Sequence, residues 1–364
     1  MDRYRKLILL IGLSLIFTLA GCTGRAPQST APLTPARTAG VATDWPTNEW
    51  PVSSPEAQGL DAKLLTEMLA EIDRQDLPFD SFLVIRNGAI VSETYYGNDG
   101  PATLHDQFSI TKSVVSTLIG IALDQGLIRE VGQSLLELLP QYAVSDPADL
   151  HHQMTLEHIL TMTSGLDWSE TNAEFRALYQ SDDWPGFMLA LPVAEAPGTK
   201  FSYCSGCSHL LVAVLERVVE KGTLQFAQQN LFQPLGITGE SWERDADGVP
   251  IGGWGLRLTP RDMAKLGYLF LRQGQWAGRQ IVSRGWVAVA TRQHTSTDGD
   301  FGYGYQWWID PDGKAFAAHG RDGQLIYVRP ELDLIVVTTA SGVNHNEIYP
   351  LIHRYILPAI NPEH

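Results

Sequence analysis

An α/β (α+β) fold, in which an antiparallel sheet is flanked by helices and carries an inserted all-α lobe, is predicted by three observations on this 364-residue chain. Strand-like runs gather at both ends of the part expected to fold, helical periodicity fills its middle, and Gly, Asn, Asp and Pro punctuate the short runs. SFLVIRNGAIVSETYYG, residues 81 to 97, holds two β-branched and aromatic runs joined by Asn87-Gly88. That pair suits a two-residue hairpin turn because both residues tolerate positive φ. Near the other end, YGYQWWID, KAFAAHG, QLIYVRP and LDLIVVTTASG read as further short strands. Together the two ends predict one antiparallel sheet.

The middle reads as helix. A first helix opens at Ser109, carries Val114, Val115, Leu118, Ile119, Ala122 and Leu123 as one stripe, and ends at Gly126. A second is expected from about Ser208 to Lys221, stopping at Gly222, and a third has Thr259 as N-cap, Pro260 in its first position and Asp262 in its first turn. The sheet part is placed at about 46–105 and 255–364 and the helical lobe at about 106–254 of a single folded domain, 46–364. A cleft between two such parts is a common place for a site.

Ahead of this domain, residues 1–21 read as an export signal: Arg3, Arg5 and Lys6 precede an apolar run from Leu7 to Ala20, too short to span a bilayer. The run ends in Leu19-Ala20-Gly21-Cys22, which resembles the lipobox of bacterial lipoproteins. Cys22 is therefore the expected lipid-attachment site. Residues 22–45 are rich in Ala, Pro, Thr and Arg without apolar periodicity, as a tether would be. The expected location is the cell envelope, with the catalytic domain outside the cytoplasm. A net charge of −15 works against nucleic acid as a partner, since that affinity rests on clustered Lys and Arg.

Ser109-Ile110-Thr111-Lys112 is the chain's sole S-x-x-K, and it opens the most apolar helix outside the N-terminal segment. On a helix the two side chains lie one turn apart on one face. They read either as a cap with a surface charge, or as a nucleophile whose hydroxyl proton a buried, partly neutral amine can take. The helix N-terminus would supply N–H groups to an oxyanion. Tyr203-Cys204-Ser205 precedes the second helix, so Tyr203 is either a core tyrosine or a proton shuttle. Cys204 and Cys207 read as a structural pair or as two free thiols. His319-Gly320 closes a strand-like run and is structural or catalytic, while the tandem His151-His152 reads as solvated loop with no metal-ligand spacing. There is no G-x-S-x-G turn of the α/β-hydrolase kind.

In this order, S-x-x-K, Y-x-S and the H-G strand resemble the serine β-lactamase and penicillin-binding-protein superfamily, particularly its class C-like esterases, D-amino-acid peptidases and 6-aminohexanoate-dimer hydrolases. TLEHILTMTSGL (155 to 166), GGWGLRLTPRDMAKLG (252 to 267) and QIVSRGWV (280 to 287) are similar to framework segments of that family. The resemblance implies a β-lactamase/transpeptidase-like fold and a serine hydrolase that cleaves an amide or carboxyl ester through an acyl-enzyme, with no metal or organic cofactor. It implies Ser109 as acylated nucleophile, Lys112 as its base and Tyr203 as proton shuttle.

Ser205 fills a place where β-lactamases usually have asparagine. Aligning AHGRDGQ with the family's K-T-G strand puts Ala318 at the lysine, His319 at the threonine and Gly320 at the glycine. The resemblance then implies an oxyanion hole formed by the backbone N–H groups of Ser109 and Arg321. Ser205, His319 and Gly320 are expected to bind substrate, as are Trp168, Glu170 and Tyr179 from the loop between Leu166 and about Pro192. The expected partner is a small-molecule or peptide-like ester or amide; oligomeric state is left open. The alternatives are a penicillin-binding D-alanyl peptidase, a β-lactamase-type enzyme or a slowly turning over acylated sensor. The missing strand lysine counts against efficient β-lactam hydrolysis.

Overall fold

The structure, a computed structural model, describes residues 45–360 apart from 143, 147, 171 and 172. The expected signal segment, Cys22 and all but the last residue of the tether lie outside the described residues. That last residue, Trp45, already packs its ring against Tyr268 and Trp276, because a large apolar side chain gains more from the core than from solvent.

Eight strands form one sheet in the order Ala89–Tyr95, Phe79–Arg86, Leu334–Ala340, Gln324–Arg329, Phe316–Gly320, Trp308–Ile309, Gly302–Tyr303 and Thr295–Ser296. Every neighbouring pair is antiparallel. The N-terminal hairpin thus lies beside the last strand, as both ends of the sequence predict. Its turn residues Asn87 and Gly88 have φ of 51° and 78°. The run from Tyr303 to Asp310 differs from expectation: it makes two short strands, paired Trp308 to Tyr303, around a turn in which Gln306 has a φ of 63°.

Side chains alternate across the sheet with a period of two. Ile335, Val337, Ile326 and Val328 enter one core with the helices of the lobe; Leu334, Val336, Leu325 and Tyr327 enter another with Leu65, Met68 and Ile72 of helix Ala62–Arg74. Helix Pro260–Leu271 crosses the first face. Its Thr259 cap accepts from the Asp262 N–H at 3.1 Å.

Helix Ile110–Asp124 is buried from Ile110 to Ala122 on every side, not along one stripe, because it packs between helix Ser205–Val218 and strands of the sheet. Burying its Val, Leu and Ile side chains contributes about 1.5–3 kcal/mol each, which fixes the frame of anything held at its first turn. Helix Ser205–Val218 starts and ends three residues earlier than the sequence predicts. At its start Cys204 acts as N-cap, its Sγ accepting from the Cys207 N–H at 3.0 Å. Gly222, expected to end it, instead has a φ of 79° and caps the following helix, Thr223–Ala227. Cys204 and Cys207 are disulfide-bonded. His151 is buried rather than solvated, its Nδ1 2.6 Å from Asp149 Oδ1. Among the described residues no helix is long and apolar enough to cross a membrane.

Candidate active site

Ser109 stands at the N-terminus of helix Ile110–Asp124, and its hydroxyl makes no capping hydrogen bond. Phe108, just before it, has a φ of 44°, a left-handed conformation that costs a bulky residue about 1–2 kcal/mol. That turn presents Ser109 ahead of the first helical N–H groups. Lys112 is only 1% exposed, so the surface-charge reading fails. Its Nζ lies 2.8 Å from Ser109 Oγ and 2.8 Å from the carbonyl oxygen of Gly253. Burial pushes the Lys112 ammonium down to about 7, with the negative charge of Glu170 acting in the other direction. At neutral pH a large fraction of this group is therefore the free amine.

The Gly253 carbonyl reaches Lys112 because Gly252 and Gly253 lie close on helix Ser205–Val218. A Cβ on Gly252 would stand 2.3 Å from Ser208 O, and one on Gly253 2.7 Å from Ser205 O. Any side chain at either position would push the loop outward.

Tyr203 covers the amine from the other side, with Lys112 Nζ 4.9 Å from the centre of its ring. Burial holds the phenol above its ordinary value, offset in part by its hydrogen bond with Ser109. The proton of this pair therefore rests on the phenol while Lys112 can be neutral. Tyr203 stacks on Trp308, and Trp308 stacks on His319. The chain around Tyr203 is fixed by the disulfide that follows it and by Ser202 N–H donating to Met162 O at 2.8 Å.

Glu170 lies close enough for its charge to act on Lys112. One carboxylate oxygen accepts from Trp168 Nε1 at 2.7 Å and from the Ser205 N–H at 2.6 Å. Trp168 is 7% exposed and packs against Phe175, inside the loop rather than on its surface. Tyr179 is 52% exposed and edges against Phe175, Trp184 and Trp254. Ser205 is buried in the first position of its helix.

On the strand side, His319 Nε2 lies 2.9 Å from Tyr349 Oη, and its ring stacks on His345 at 4.2 Å. Burial, with His345 beside it, holds His319 well below the ordinary histidine range, so its ring is neutral. It cannot stand in for a strand lysine as a cation, and Ala318 is fully buried. A Cβ on Gly320 would meet Gln107 O at 2.4 Å, so this strand end lies directly against the turn that leads into Ser109. Arg321, next along, lays its guanidinium 4.5 Å over the Phe108 ring. Gly320 thus borders the serine turn, and the side chain of Arg321 lies over it on the solvent side.

Sequence reasoning missed several residues. Gln306 is 2% exposed; its Nε2 donates to Ile159 O and Leu160 O at 3.1 and 3.0 Å, and its Oε1 accepts from Ser208 Oγ at 2.9 Å. Its own carbonyl accepts from Ser113 Oγ at 2.6 Å. One side chain and its backbone therefore tie helix Ile110–Asp124 to two other segments, and nothing in the local pattern announces it. Trp308 and Trp254 also escaped notice, although the Gly252-Gly253 pair beside Trp254 is the kind of signal that marks close backbone approach.

A family model described as Beta-lactamase matches residues 62–359. The 6-aminohexanoate-dimer hydrolase of Paenarthrobacter ureafaciens is 25% identical over 288 residues, covering 72% of this chain and 72% of that protein. A candidate 6-aminohexanoate-dimer hydrolase from Bacillus anthracis shares the fold at a TM-score of 0.71 and 19% identity, over 85% of this chain and 86% of that one. So does a family VIII carboxylesterase, at a TM-score of 0.67 and 17% identity, over 84% of this chain and 98% of that one.

Proposed function

The chain belongs to the Beta-lactamase family and is a hydrolase of the serine β-lactamase superfamily, and from that premise we propose that it cleaves an amide or carboxyl ester through an acyl-enzyme on Ser109. The observation that carries this reading is the buried Lys112 amine, 2.8 Å from the Ser109 hydroxyl and held near neutrality. Lys112 takes the hydroxyl proton as Ser109 Oγ attacks the substrate carbonyl carbon. Negative charge developing on the carbonyl oxygen is met by the backbone N–H groups of Ser109, at the helix N-terminus, and of Arg321, just past strand Phe316–Gly320. The intermediate collapses by breaking the bond to the leaving group, which Tyr203 protonates while drawing the proton held by Lys112. Water then attacks the acyl-enzyme, gives its proton to the same pair, and Ser109 leaves with a proton restored.

The names of the relatives, a 6-aminohexanoate-dimer hydrolase and a carboxylesterase, support an ester or amide substrate. The neutral His319 and buried Ala318 leave the strand without an ammonium for a β-lactam carboxylate, which sets that alternative behind esters and amides. The Trp308 ring stacked on Tyr203 favours a substrate with apolar groups beside its carbonyl.

The test is a pH profile for a p-nitrophenyl ester under many turnovers. The value of kcat/KM is expected to fall with decreasing pH through about 7 as Lys112 gains its proton, and to level off above it. A flat profile from about pH 5 to about pH 9 would contradict Lys112 as the base.

We further propose that the domain works outside the cytoplasm on a lipid-modified Cys22. The Cys204–Cys207 disulfide supports an oxidising compartment. Fatty-acid labelling of the full chain that persists in Cys22→Ser would overturn the anchor.

A further inference from the structure

The carbonyl that positions Lys112 belongs to a loop that is itself held from behind. Gly252 donates its N–H to His209 Nδ1 at 3.2 Å, and His209 Nε2 lies 3.0 Å from Asp245 Oδ2. His209 is 1% exposed, and the Asp245 side chain 6%. Because Nδ1 accepts, the ring proton on Nε2 is the one donated to the carboxylate, which fixes the orientation of the ring. Burial works against the Asp245 charge, but hydrogen bonds from His209, Val249 and Asp247 outweigh it and hold the carboxyl below its usual range.

We infer that His209 and Asp245 are a positioning pair for the catalytic amine, acting through the Gly252-Gly253 backbone on Lys112. The path runs Asp245, His209, the Gly252 N–H, the Gly253 carbonyl, Lys112 Nζ and Ser109 Oγ, with each polar contact between 2.8 and 3.2 Å. The inference rests on the reading of Lys112 as base.

His209 lies on a helix whose neighbouring Leu210, Leu211 and Val212 are fully buried. A well-packed apolar residue there would be no less stable than a buried polar pair. What an apolar residue cannot supply is an acceptor for the Gly252 N–H. Without it the loop loosens, water reaches Lys112 Nζ, and the burial that lowers its proton affinity is relieved. The groups facing Lys112 are Ser109, Tyr203, Glu170 and the Gly253 carbonyl. Those facing His209 are Asp245, the Gly252 N–H and the Trp184 ring.

The test compares His209→Leu, His209→Asn and Asp245→Asn by the pH dependence of ester hydrolysis, in a protein whose turnover is first shown to need Ser109. In His209→Leu, kcat is expected to fall roughly tenfold with KM within about twofold, and the acidic limb to move up by about one pH unit. His209→Asn can present an amide oxygen where Nδ1 was, and is expected to return most of the shift. Asp245→Asn keeps an oxygen for the Asp247 and Val249 N–H groups, and is expected to move the limb in the same direction by less.

An acidic limb in His209→Leu that superimposes on the parent, or equal behaviour of the Leu and Asn variants, would overturn the inference. Should His209→Leu not fold, an unmoved limb in Asp245→Asn overturns it equally. Turnover that survives Ser109→Ala would instead strike the acyl-enzyme reading, so the two failures are distinguishable.

Discussion

Ser109→Ala is expected to lower kcat/KM for ester hydrolysis by at least on the order of 10⁴-fold while leaving the protein folded. The loss is large because, in the proposed mechanism, nucleophile and base act as a unit. With the hydroxyl gone, Lys112 keeps its proton affinity and its bond to Gly253 but has no proton to remove. The backbone N–H groups and the cleft remain, so a small residual rate over water is expected. The fold survives because the Ser109 hydroxyl caps nothing and bonds only within the Lys112 and Tyr203 group. The measurement is steady-state hydrolysis of a p-nitrophenyl ester beside a thermal melt. Full turnover by the variant would remove Ser109 from the chemistry.

Lys112→Met is expected to lose roughly 10³-fold or more in kcat and to gain thermal stability. Methionine has a similar length and no ammonium, so it fills the same volume without the cost of burying a charge. Lys112 has a folded-state pKa of about 7 against 10.5 for the ordinary group. The unfolded chain therefore binds more protons than the folded one between those values, and stability from this group rises with pH across that window. Below about pH 7 both states are protonated and the destabilisation is complete. The gain in melting temperature on Lys112→Met should thus be larger at pH 6 to 7 than near pH 10, a comparison that separates it from a packing effect. A variant less stable than the parent across that range would mean the amine is better solvated than its burial implies.

Legibility from sequence followed the range of the interactions. The hairpin at Asn87-Gly88, the cap at Thr259 and the start of helix Ile110–Asp124 are set by neighbours a few residues apart, and each appears where the sequence places it. Ser109, Lys112 and Tyr203 were legible for a different reason, since their residue types in that order resemble a family. The structure brings them together as a group. Long-range contacts were hidden. Gln306 anchors helix Ile110–Asp124 from more than half the chain away, and His209 reaches Lys112 only through two glycines. The start of helix Ser205–Val218 was misplaced because a disulfide and a sulfur cap, not the usual Ser or Asp, begin it. Trp168 was expected either to line the cleft or to pack its loop; its indole N–H donates to Glu170 and its ring packs against Phe175.

The most direct test of the central claim is the intact mass of the catalytic domain after brief exposure to a fluorophosphonate and, separately, to a p-nitrophenyl ester, with Ser109→Ala alongside. One covalent adduct per chain, mapped to Ser109 and absent from the variant, is the result predicted for an acyl-enzyme hydrolase. No adduct from either probe, or one that persists in Ser109→Ala, would contradict it.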